Sequence, residues 1–319
     1  MPPVRDSMKV FQKIKLIWAI IKETFVNWNK SDPFRLSAVV AYYAVFSLPG
    51  LLLIVVTVTG YLVGEELVKG EIYKQANELI GEQGANQLQT MIQNAYESKS
   101  STIATIAGLA IILFSASNLF FHLKISLNSI WGVEAQPQRA WLKLIKDRAF
   151  SYGLMLAISF LLLLSLVLTS LIAAFSGTIS NLFGVSSVYV FQLTNELISL
   201  CITTALFAAI FKFLPDIIIR WKDVLVGSFI SALLFGLGKF FIGLLLGQSN
   251  PGATYGAAGS IILILIWFTY SSLIFFLGAE FTQVYARKLG KQIRPKEFAV
   301  QVDKGKRDFA KAGDQAQSR

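Results

Sequence analysis

The sequence predicts an all-α polytopic membrane protein with six transmembrane helices, an amphipathic helix ahead of them, and an external helical pair between the first two spans. Three observations predict it. The chain has 319 residues, is 54% hydrophobic and 15% charged, and has a mean hydropathy of +0.58, whereas soluble domains carry about 25% charged residues. Its apolar residues gather into six blocks, 36–63, 102–123, 149–175, 192–214, 223–247 and 259–280, each able to supply the roughly 20 apolar residues that a bilayer demands. Its Lys and Arg residues alternate between connections. Seven precede the first block, three lie in 64–101, five in 124–148, none in 176–191, three in 211–222, none in 248–258 and ten in 281–319. Basic connections stay in the cytoplasm, so both termini are expected there. The net charge of +10 then reads as topology and contact with lipid headgroups, and no nucleic-acid partner is expected.

The segments are read in order as a cytoplasmic amphipathic helix over 1–31, a membrane domain over 32–290 that includes the external loop 64–101, and a flexible cytoplasmic tail over 291–319. Residues 8–28 set Val10, Phe11, Ile14, Ile17, Trp18, Ile21, Phe25 and Trp28 at helical spacing, with Lys13, Lys15 and Lys22 off that stripe. Such a helix lies on the membrane surface or packs against the protein's own cytoplasmic side. Before residue 35 no free-standing apolar run leads to a small-residue cleavage site, so the first span is expected to stay as an uncleaved anchor. Asp32 before Pro33 starts a new helix. Within it Pro49 removes an intrahelical hydrogen bond and is the candidate hinge, with Ser47 placed to help the freed carbonyl.

In the loop 64–101, Leu67, Val68, Ile72, Ala76, Leu79 and Ile80 form one helical stripe. Leu88, Met91, Ile92, Ala95 and Tyr96 form another, with Gly81 and Gly84 between them. Two amphipathic helices folded as a lid over the outer face are expected. Gly227 with Ser231, and Gly243 with Gly247, have the small-xxx-small spacing that lets membrane helices approach closely. Cys201 is the single cysteine and lies within a span, so no disulfide framework is expected. The tail lacks apolar periodicity.

Four phrases carry a family resemblance: "AYYAVFSLPGLLL", "SLNSIWGV", "FLPDIIIRWKDVLVGS" and "YGAAGSIILILIWFTYSSLIFFLGAEF". Together they resemble the YihY/BrkB family, formerly labelled ribonuclease BN, over roughly residues 20–290. The resemblance implies a bacterial inner-membrane protein with six spans, a family name associated with virulence and serum resistance, and transport as a suggested role. The residues give the ribonuclease label no support. Metal-dependent hydrolysis needs clustered ligands, but the chain has one histidine, His122, and Glu134, Asp147, Asp216 and Asp223 are scattered among basic residues. No metal, cofactor or catalytic activity is expected.

The candidate substrate pocket follows from Lys239, which sits inside the fifth span, where an ionisable group needs a partner, a cavity or a route to the interface. Glu196 is the acid expected in the same leaflet, beside Asn195. The Gly-rich run through Tyr255, Gly259 and Ser260 opens the sixth span with a helix N-terminus suited to anions. Lys239 snorkelling to the interface or fixed in a structural pair with Glu196 fits the same residues. Asn118, His122 and Glu280 form a candidate inner polar cluster, and Tyr42, Tyr43 and Tyr270 are candidate cavity liners. The function expected is export or exchange of a small anionic solute or lipid-related molecule by alternating exposure of a central cavity. The alternative is a non-transport scaffold or envelope assembly factor.

Overall fold

The computed structural model describes residues 4–63, 65–97, 118–136, 186–248, 259–289, 293–297 and 299–302, with single positions at 149 and 153. Its helices are α1 (Val4–Lys30), α2 (Pro33–Val63), α3 (Glu65–Glu97), α4 (118–131), α5 (Ser186–Phe213), α6 (Trp221–Gln248) and α7 (Gly259–Leu289). Glu196–Phe213, Trp221–Ile242 and Ile261–Leu289 are long and apolar enough to cross a bilayer, and Pro33–Leu48 is a shorter apolar stretch. These correspond to the fourth, fifth, sixth and first expected spans. Only 118–123 of the second span is described, and the third, apart from the two single positions, lies outside the described residues.

α7 is the hub, touching α1, α2, α3 and α6, while α5 packs on α6. Small residues set the closest approach. A Cβ built on Gly227 would stand 2.6 Å from Cβ of Thr282, and one on Gly278 2.6 Å from Cβ of Ser231. The Ser231 and Thr282 hydroxyls turn back onto their own helices, donating at 2.7 Å to the Gly227 and Gly278 carbonyls. The seam is therefore both tight and satisfied, as the Gly227/Ser231 spacing led one to expect. Gly278→Ala is expected to cost about 1–3 kcal/mol through overpacking, read as a lower Tm in detergent. An unchanged Tm would show slack between the helices.

Asp32 joins α1 to α2 with a left-handed φ of 51°, a conformation that Asp adopts more readily than most residues. Its carbonyl accepts the first α2 hydrogen bond, from Leu36 N–H at 3.1 Å, and its carboxylate meets exposed Arg35 at 3.5 Å. Asp32→Val is expected to lower stability by about 1–2 kcal/mol and Asp32→Gly to leave it nearly unchanged in the same melting assay.

Three expectations gain detail. The apolar stripe of α1 is mostly exposed, in line with the membrane-surface reading, while another side of the helix docks. Ile20 and Thr24 are buried, the Trp28 indole N–H donates to Leu273 O at 3.3 Å, and Glu23 pairs with Arg287 and, at 2.8 Å, with Lys288 of α7. Ile14, Ile17, Trp18, Ile21 and Phe25 remain exposed. The external segment is one continuous helical element, yet Ile72 and Ile92 line the same cavity of about 120 Å³ with Lys69, Tyr73 and Leu88. A straight helix would hold those two isoleucines about 30 Å apart, so α3 doubles back. It packs on Val45 and Leu48 of α2 and on Ile264, Trp267 and Phe268 of α7, against the flanks of those helices. The tail also carries structure. β3 (Arg294–Pro295) pairs antiparallel with β2 (Ile217–Ile218), and β4 (Ala299–Gln301) with β1 (Val133–Ala135). Polar strands form there because buried neighbouring backbone needs partners.

Candidate functional site

The end of the bundle where α2 and α6 begin and α5 and α7 end is bound by residues 293–297 and 299–302 and is termed the base; the opposite end is the apex. At the base the connections themselves are core. Trp131, Val133, Leu214, Ile217 and Ile219 are buried in one cluster with Phe207, Phe211, Phe275 and Phe276, and Ile293 packs against it. Phe275 lies 5.7 Å from Phe207 and 5.2 Å from Phe211 in edge or tilted contacts, and Phe235 stands 5.7 Å from Phe207. Offset aromatic pairs of this kind fill space firmly.

Above this plug α6 still buries Ile242 against Leu263 of α7, but the two rows that follow become exposed. On α6, Ser228, Ala232, Phe235 and Lys239 recur at i, i+4, i+7 and i+11, one row of the helix. Ser228 and Ala232 are buried and Phe235 packs on the core, yet Lys239 is exposed. On α5, Glu196, Leu200, Thr204, Phe207 and Phe211 form a corresponding row. Phe211 and Phe207 are buried, Thr204 and Leu200 are half-buried, and Glu196 is exposed with its neighbours Leu193 and Leu197. At 1.5 Å per residue Glu196 lies about 26 Å from the basal end of α5, and Lys239 about 27 Å from that of α6. The two groups share a level, both exposed, on rows whose members nearer the base are buried. Among the described residues no ion pair joins them.

Tyr270 lies next to Lys239's turn, within 3.1 Å of a Cβ built on Gly238. With Ile262, Leu265, Ile266, Thr269 and Leu273 it lines a shallow, open apolar face along α7. Gly259 is buried at the first position of α7, whose N-terminal N–H groups carry positive partial charge. Tyr255 and the side chains of Asn195 and Ser260 lie outside the described residues.

The expected inner cluster is not brought together. Glu280 is fully buried at the α1–α2 turn, 2.5 Å from the Ser31 hydroxyl. His122 instead stacks on Tyr43, ring centroids 4.4 Å apart, about 15 Å further along α2. Asn118 is half-buried on α4, one turn before His122. α2 remains helical through Pro49. Ser47 donates to Ala44 O at 3.0 Å, not to Val45 O, the carbonyl that proline frees.

The reading from sequence missed the strongest polar cluster. Lys124 Nζ lies 3.0 Å from Asp216 Oδ1, with both side chains about nine-tenths buried. Asn128 donates to the Asp216 carboxylate at 3.1 Å and accepts from Asp216 N–H at 2.8 Å. Lys124 and Asn128 at i, i+4 share a helix face, the one signal available beforehand. Among the described residues no group of three or more His, Cys, Asp or Glu is placed to hold a metal ion.

Comparison with known proteins gives the following. A family model described as virulence factor BrkB matches residues 24–301. A UPF0761 membrane protein of Tolumonas auensis is 30% identical over 186 residues, 58% of this chain and 58% of that protein. Another, of Teredinibacter turnerae, is 24% identical over 289 residues, 89% of this chain and 64% of that protein. The Bacillus subtilis protein YfkH, whose name calls it ribonuclease-like, is 23% identical over 268 residues, 82% of this chain and 93% of that protein. The chain thus spans about three fifths of the two UPF0761 relatives. No solved structure matches.

Proposed function

The chain belongs to the virulence factor BrkB family of membrane proteins, and from that premise we propose that it carries a small anionic solute or lipid-related molecule across the bacterial inner membrane. The base and both termini face the cytoplasm, the apex faces outward, and no catalysis is involved. One observation carries the reading. Lys239 and Glu196, both exposed, stand at the same level on rows whose members nearer the base are buried. An ionisable residue inside a span marks a solute path more often than a packing site. Lys239 and the N-terminus of α7 supply positive potential for an anion, Glu196 at the same level competes with the solute for the ammonium, and the apolar face of α7 receives an apolar portion of the solute. The buried base is the closed side of such a path, and alternating access requires it to open in turn.

The test is uptake of a panel of radiolabelled anionic metabolites and a labelled anionic lipid analogue into proteoliposomes, against empty liposomes. Uptake above the empty control supports a carrier. No uptake across the panel by monodisperse protein overturns it and favours the scaffold reading, for which the exposed apolar row of α1 is the contact surface.

A further inference from the structure

We infer that residues 293–297 and 299–302 form a strap that holds the base shut and that, with the buried Lys124–Asp216 pair, they form the basal gate of the protein. Three connections of different helices meet there. β1 leaves α4, β2 lies between α5 and α6, and the strap follows α7. β4 faces β1 in the register Val133↔Gln301, Glu134↔Val300 and Ala135↔Ala299, extended by Val302 N–H donating to Gly132 O at 2.8 Å. β3 faces β2, and the Lys296 N–H donates to Asp216 O at 3.0 Å. The Lys296 ammonium donates to Pro215 O at 2.9 Å and to Phe213 O at 3.4 Å. It thereby caps the last carbonyls of α5, where a cation is favoured.

Asp216 is the common point. Its carboxylate is held by Lys124 and Asn128 of α4, and its carbonyl by the strap. Moving the α5–α6 turn away from α4 separates a buried ion pair, which is strongly resisted unless water reaches both charges. The strap's own ladders span only two and three residues, and such short pairings are marginal alone. Release of the strap therefore admits water to the pair, and the pair then parts. Aromatic packing of Phe207, Phe211 and Phe275 lies directly beyond. Describing this closure as a gate rests on the transport reading above; the closure itself does not.

Two measurements in a Cys201→Ser background separate these claims, since Cys201 is the single native cysteine. In the first, Leu127→Cys, buried on α4 one turn from Lys124 and next to Asn128, reports access by a membrane-impermeant maleimide from the basal side. Adding Lys296→Ala and Val300→Pro is expected to speed labelling about tenfold. Equal rates with and without the strap substitutions overturn the closure. In the second, Glu134→Cys with Val300→Cys places cysteines on facing residues, within the Cα separation that a disulfide accepts. Oxidation is expected to form the crosslink and stop uptake, and reductant to restore it, which excludes misfolding as the cause. Failure to crosslink overturns the register, and full uptake by the crosslinked protein overturns the gate. Faster labelling with no uptake by any form, wild type included, supports the strap and overturns the transport reading instead.

Discussion

On the transport proposal, Lys239→Met is expected to lower uptake of an anionic solute about 10- to 100-fold while leaving the protein folded. The magnitude follows from the interaction removed. A charged donor on a desolvated anion contributes about 1.5–3 kcal/mol, and each 1.4 kcal/mol is tenfold in binding. Methionine keeps the apolar stem that lies along the row above Phe235, so packing changes little. Glu196→Gln tests the other side of the same idea. With this competitor for the ammonium neutralised, the anion binds more tightly, and half-saturation of uptake falls while the maximal rate is lowered or unchanged. Uptake kinetics of the two variants with unaltered gel-filtration profiles check both expectations. Lys239→Met with wild-type kinetics would place the ammonium at the interface as a snorkelling group and remove it from the solute path.

The largest effect on stability is expected at the base. Lys124→Ala leaves the Asp216 carboxylate buried with Asn128 as its remaining side-chain donor among the contacts described here. Breaking a buried pair from one side costs about 3–5 kcal/mol, which is a large fraction of the stability of a whole domain. Asp216→Ala removes the carboxylate that faces the buried Lys124 ammonium and is expected to lower stability as well. Replacing both together, Lys124→Met with Asp216→Leu, is expected to recover much of the loss, because two apolar groups need no partners. Thermal unfolding of the three variants in one detergent measures this. Equal melting temperatures for Lys124→Ala and wild type would show that the pair is already hydrated and would weaken the case for a closed base.

How much of this was legible beforehand differs by level. The apolar blocks at 192–214, 223–247 and 259–280 coincide with described helices because length and hydrophobicity alone decide whether a helix suits a bilayer. The Gly227/Ser231 seam was legible as spacing, although its partner, Gly278 with Thr282 on α7, was not. Lys239 and Glu196 were legible as ionisable residues at matching depth. That each stands on a row buried further toward the base needed the structure. The expected Asn118, His122 and Glu280 group failed because distance from a span end does not say which neighbour a residue faces. His122 went to Tyr43 and Glu280 to Ser31.

The sequence by itself determined that this is a helical membrane protein of one recognisable family, where its main spans run, and which ionisable residues enter them. Those properties are sums over neighbouring residues, and burial in lipid needs no knowledge of the partner helix. Only the tertiary structure decided which flanks of α2 and α7 the segment α3 packs on, that α1 docks by Ile20 and Thr24 with its apolar stripe left open, and that Lys124 meets Asp216 under a strap from the far end of the chain. Each of these joins residues far apart in sequence. Such pairs form because buried backbone and charge must find partners wherever packing happens to place them, and no local pattern encodes which partner that is.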